Sequence, residues 1–161
     1  MSELLVLGIG SPFGDDRLGW DVISLLQQRP RLLPYMPNTL SLQCCDRPGL
    51  RLLELIRNAK QVFLVDALKT NTTPGKVHRL CNDEITAQCN SLSSHEIGVA
   101  QALQLGKVLQ QLPSEISLFA IAIKGDNLTF ECSVTIDHAI KQLADQLEVE
   151  ILNLLGSVAI R

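Results

Sequence analysis

Aromatic side chains are scarce in this chain, which has one tryptophan, one tyrosine and four phenylalanines. A stacking platform for single-stranded nucleic acid is therefore excluded. Basic excess is missing too: the formal net charge is -3 and Lys and Arg are scattered, so a phosphate backbone is a poor partner. No apolar run approaches the roughly 20 residues that span a bilayer. The N-terminus passes from Met-Ser-Glu straight into Leu4-Leu-Val-Leu7 without a basic region or cleavage site, so a soluble, cytoplasmic protein is expected. The five cysteines, Cys44, Cys45, Cys81, Cys89 and Cys132, are odd in number and form no CxxC pair. That excludes a disulfide framework and a zinc knuckle, and buried, reduced thiols are expected. There is also no HExxH helix, no Gly-x-Ser-x-Gly elbow and no Asp-Thr-Gly or Asp-Ser-Gly pair.

What is present is an alternation of short apolar runs with longer amphipathic ones, the pattern of βα units around a mainly parallel sheet. At 161 residues, the length of one ordinary domain, residues 1–161 are read as a single α/β domain with helices on both faces of the sheet. Strands are expected at Leu4–Ile9, Thr39–Cys44, Val62–Val65, Lys76–Leu80 and Ile116–Ile123. The alternating polarity of Lys76–Leu80 marks it as an exposed edge, open to an antiparallel setting. Helices are expected over Asp16–Gln28, Pro48–Ala59, Ser93–Gln111 and from Ser133 onward. The last would bury Ile136, Ile140, Leu143, Leu147, Ile151 and Leu154. Ser93 followed by Glu96 has capping-box spacing.

In open α/β sheets ligands bind beyond the carboxyl ends of the strands, where neighbouring connections diverge. Asp16 follows the first strand, Asp66 ends the third, and the two become neighbours in a 2-1-3 strand order. His95 enters from the cap of the third helix, where the positive dipole end favours the neutral imidazole that binds metal. Two carboxylates and an imidazole suit a divalent transition metal.

Plainer roles compete at each position. Asp15 and Asp16 are both placed to cap the following helix, which accounts for one of them; the other either complements the helix dipole or is functional. Asp66 is either a turn aspartate or a carboxylate whose desolvation at the end of a buried strand demands a partner. His78 and His138 read as solvated or partly packed. The Gly8-x-Gly10 and Gly14 pattern is a weak dinucleotide fingerprint. Two acidic residues stand where a pyrophosphate needs bare amides, and no acidic residue follows at the right spacing.

Three segments together resemble the hydrogenase maturation endopeptidases: Val6-Leu-Gly-Ile-Gly10 with Gly14-Asp-Asp16 and Gly19, then Leu64-Val-Asp-Ala67 with Pro74-Gly75, then Ser94-His-Glu-Ile-Gly98. The resemblance implies a twisted, mostly parallel five-stranded sheet between helices. It also implies a metal site of Asp16, Asp66 and His95. The activity it implies is removal of the C-terminal extension from the nickel-loaded precursor of a nickel-iron hydrogenase large subunit, with nickel recognised inside the substrate. Either Asp16 or Asp66 could then serve as base on a metal-polarised water. The chain departs from the family pattern at Ser11, where asparagine is common, at Arg17, where glycine is common, and over Lys124-Gly-Asp-Asn127. A monomer is expected. The rival readings are a non-catalytic nickel-sensing module on the same fold and a small nucleotide-binding domain.

Overall fold

The computed structural model describes residues 2–69, 73–89, 98–124 and 133–159. Five strands, β1 (Ser2–Gly10), β2 (Leu40–Asp46), β3 (Ala59–Lys69), β4 (Val77–Cys81) and β5 (Glu115–Ile123), form one sheet in the order β2-β1-β3-β5-β4. All neighbours are parallel except β4, which runs antiparallel to β5 at the edge. The expected mostly parallel α/β sheet and its 2-1-3 order are thus present.

Alternation along the central strands assigns each residue to a face. Leu4, Val6, Phe63, Val65, Phe119 and Ile121 pack with α1 (Leu18–Gln27) and α5 (Val134–Ala159). Leu5, Leu7, Leu64, Leu118 and Ala120 pack against α2 (Leu52–Ile56), α3 (Asp83–Cys89) and α4 (Val99–Val108). Two apolar faces are why β1, β3 and β5 read as nearly unbroken apolar runs. On the first face Phe63 meets Phe119 edge to face, with centroids 5.3 Å apart, and the Arg79 guanidinium lies 5.1 Å from the Phe119 ring centre.

Element boundaries differ from expectation in instructive ways. The helix expected from Asp16 begins as a 3-10 turn over Gly14–Arg17 and becomes α-helical at Leu18. Gly14 sits at φ 54°, a left-handed conformation that glycine adopts cheaply. The helix expected over Pro48–Ala59 is only a 3-10 turn and the five residues of α2, because Ala59 already opens β3. A helix at Asp83–Cys89 was not foreseen. The third expected helix starts at Val99 after an extended Gly98, whose N–H donates to the Gln101 side chain. The Ser93–Glu96 capping-box spacing, with His95, lies outside the described residues. Along α5, Leu155 is fully buried and Leu154 only partly so.

Candidate functional site

Construction of the site begins with glycine. A Cβ on Gly8 would stand 2.3 Å from the Gly19 carbonyl oxygen, and one on Gly19 would stand 2.3 Å from that of Ile9 and 2.7 Å from that of Val65. The first turn of α1 therefore rests on the backbone of β1 and β3 with no side chain between. This contact fixes where the chain can go after Gly10. It turns at once, and the Ser11 N–H donates to the Asp16 carbonyl at 3.2 Å. The Ser11 hydroxyl, in a residue only 1% exposed, donates to Asp16 Oδ2 at 2.9 Å. Ser11 thus holds both the main chain and the carboxylate of Asp16. A hydrogen bond to a charged acceptor stabilises by about 1.5–3 kcal/mol.

The two adjacent aspartates have different environments. Asp15 is 8% exposed and its carboxylate accepts from the Ser133 N–H at 2.8 Å and the Ser133 hydroxyl at 3.2 Å. It caps α5, whereas capping of its own following helix was expected; neither the Gly14–Arg17 turn nor α1 has a side-chain cap. Arg17 instead pairs with Asp21 at 3.4 Å. Burial is the largest influence on Asp21 and raises its carboxyl above the usual range, against the opposing pull of Arg17.

Asp66 is not at the end of its strand. Pairing of β3 with β5 continues through Asp66 opposite Ala120 to Lys69 opposite Ile123. The polar residues after Val65 look like a strand end in sequence, but the apolar run of β5 supplies ladder partners for them. What ends at Val65 is the pairing with β1, whose last rung to β3 joins Gly8 and Val65. The Ala67 N–H donates to Asp66 Oδ1 at 2.8 Å.

Register aligns a row of side chains on the α2–α4 face near this edge. Asp66 lies beside Ala120, which lies beside His78. On the other flank Cys45 pairs with Ile9, the residue after Gly8. The Nε2 of His78 is buried without a hydrogen-bond partner among the described residues, so the partly packed reading of this side chain is accurate. The Cys45 thiol is pushed up to about 12, mainly by desolvation and next by the negative charge of Asp66. The three cysteines whose side chains are described are less buried than expected: Cys44 is exposed and Cys45 and Cys81 are intermediate. Edge position explains this, since β2 and β4 border the sheet.

Of the three predicted site residues, Asp16 lies in the 3-10 turn that follows β1, Asp66 lies in β3 one residue past its last rung with β1, and His95 lies outside the described residues three positions before Gly98. Among the described residues no three His, Cys, Asp or Glu side chains form a group that could hold a metal ion. Lys124 is described and the remainder of the Lys124–Asn127 loop is not. Sequence reasoning missed Ser11 and Ser133 as the partners of the paired aspartates. The buried setting of Ser11 could have been read from the apolar strand it follows, but the Ser133 contact leaves no local signal. Likewise, the lone tryptophan, Trp20, fastens α1 to β2 by donating from Nε1 to the Cys45 carbonyl at 2.9 Å.

The chain has known relatives. A family model described as Hydrogenase maturation protease (HycI) matches residues 48–150. The hydrogenase expression/formation protein HupD of Thiocapsa roseopersicina is 26% identical over 122 residues, covering 74% of this chain and 53% of that protein. The chain thus spans about half the length of this curated relative. Among solved structures, the hydrogenase maturating endopeptidase HybD from E. coli superposes with a TM-score of 0.78 at 23% identity, over 97% of this chain and 94% of the other. The [NiFe] hydrogenase maturation protease HycI from Thermococcus kodakarensis KOD1 gives a TM-score of 0.67 at 23% identity, over 94% and 93%. These two structures establish the shared fold.

Proposed function

We propose that this chain, which belongs to the hydrogenase maturation protease family, removes the C-terminal extension from the nickel-loaded precursor of a nickel-iron hydrogenase large subunit. The observation that carries this reading is the placement of Asp16 on a braced turn just past β1 and of Asp66 in the adjacent β3, one residue beyond the last rung that joins the two strands. A carboxylate fixed by a buried hydroxyl is oriented before any ligand arrives, so little ordering remains to be done on binding.

In this reading nickel belongs to the substrate, and Asp16, Asp66 and His95 contact it from the enzyme. Oxygen and nitrogen donors suit a borderline divalent ion whose remaining positions are filled by substrate thiolates. When bound, the metal polarises the scissile carbonyl or a nearby water. One of the two aspartates accepts the proton of the attacking water, the new C–O bond forms, the C–N bond breaks, and the departing amine takes a proton. Cleavage would then depend on a filled metal site in the precursor. No helix among the described residues is long and apolar enough to cross a membrane. The proposed setting is the cytoplasm, with the enzyme acting as a monomer.

The test is intact-mass analysis of a nickel-loaded large-subunit precursor incubated with the wild-type chain and with His95→Ala. Loss of a C-terminal peptide with wild type and an unchanged mass with a folded His95→Ala variant support the proposal. A precursor that binds tightly but keeps its mass with wild type would replace it with the non-catalytic, nickel-sensing reading.

A further inference from the structure

The lane beside β3 is vacated by β1 halfway along. The two strands pair from Ser2 with Ala59 to Gly8 with Val65, while β3 continues against β5 to Lys69. After Gly10 the chain turns off into the Ser11–Asp16 contact. The carbonyl of Val65 and both backbone polar atoms of Ile9 crowd the Cα of Gly19, which places that carbonyl on the β1 side. Strand alternation then aims the backbone groups of Ala67 and Lys69 to the same side. The Ala67 N–H there is occupied by Asp66 Oδ1. Among the described residues no strand pairs with Asp66–Lys69 on that side.

We propose that the precursor's C-terminal tail binds as an extended strand in this lane, parallel or antiparallel to Asp66–Lys69, pairing with the Ala67 carbonyl and the Lys69 N–H. This rests on the protease reading above. A stretch of sheet edge that no strand among the described residues pairs with presents main chain, and an extended peptide is the partner whose chemistry fits it. Four residues of β3 offer a lane of about 13 Å, enough for three or four residues of substrate. A peptide lying there has its backbone beside Asp66, with alternate side chains directed to the two faces of the sheet. Recognition is therefore largely independent of tail sequence, and a scissile bond is delivered to Asp66 by register.

Amide-resolved hydrogen exchange of the full chain, alone and with nickel-loaded precursor, tests this together with the variants Lys69→Pro and Lys69→Ala. The proline removes the N–H on the lane side and the alanine keeps it. Slowed exchange at Lys69 in the complex is expected, with kcat/KM of Lys69→Pro about tenfold below that of Lys69→Ala, the loss of a strand hydrogen bond. Cleavage without added protection at Lys69, or equal kcat/KM for the two folded variants, overturns the inference and leaves the protease reading intact. Protection without cleavage upholds strand addition and overturns the protease reading. A precursor that neither binds nor is cut overturns both. Should Lys69→Pro not fold, the exchange of the wild-type chain decides alone.

Discussion

The carboxylate of Asp15 takes both the N–H and the hydroxyl of Ser133, 118 residues further along the chain. Through this pair the turn bearing Asp16 is fastened to the start of α5, the longest helix in the fold. Asp15→Ala should cost about 2 kcal/mol, for the lost hydrogen bonds and the lost charge at a helix N-terminus. Ser133→Ala keeps the N–H and should cost about 1 kcal/mol. Urea unfolding of both single variants and the double variant measures the coupling. Additive effects would show that the two side chains do not act as a unit.

Ser11→Ala is expected to cost about 1.5–3 kcal/mol of stability and to lower processing of nickel-loaded precursor about tenfold, because the donor that orients Asp16 Oδ2 is removed. Thermal unfolding and kcat/KM measured on the same preparation separate the two effects. Full activity in the variant would mean that Asp16 needs no brace.

Gly19→Ala should be severely destabilising, by about 3 kcal/mol, since its Cβ would meet two backbone carbonyls that cannot move aside. Gly156→Ala, within α5 and with nothing within 4 Å of an added Cβ, should instead stabilise by about 1 kcal/mol through helix propensity. Chemical denaturation of the pair provides the comparison. Similar values for both would refute the close backbone contact beneath the site.

Cys45 should resist alkylation at pH 8, because burial and the Asp66 charge hold its thiol protonated up to about 12. Asp66→Asn removes one of those influences and should quicken labelling, as peptide mass spectrometry would show. The sign for stability follows from the same shift. The folded pKa lies above that of the unfolded thiol, so the contribution is complete below about 9 and is lost as pH rises from there toward about 12. No change in labelling with Asp66→Asn would argue against their proximity.

Much of the architecture was legible because burial on two faces writes itself as unbroken apolar runs, as in Leu4–Ile9 and Ile116–Ile123. The alternating residues of β4 likewise announced an edge. Reading failed where a partner strand overrides local polarity: Asp66 and Lys69 look like the end of a strand, yet β5 keeps them in the ladder. It failed again at Asp15, whose cap lies far away in sequence, and no spacing rule reaches that distance. At Pro48–Ala59 helical periodicity was real but short, and β3 claimed the last residue. Asp16 was singled out by its position after a glycine-rich turn, but the brace that gives it one orientation needed the folded chain.

Backbone rests on backbone where Gly19 meets Ile9 and Val65. Side-chain packing on the two faces of the sheet can drift through many conservative exchanges, as cores do when sequences diverge. The elevation of the Asp16 turn above the sheet is not set by those side chains and does not drift with them. Two glycines act as a datum, so main chain alone sets the height at which the turn carries its carboxylate.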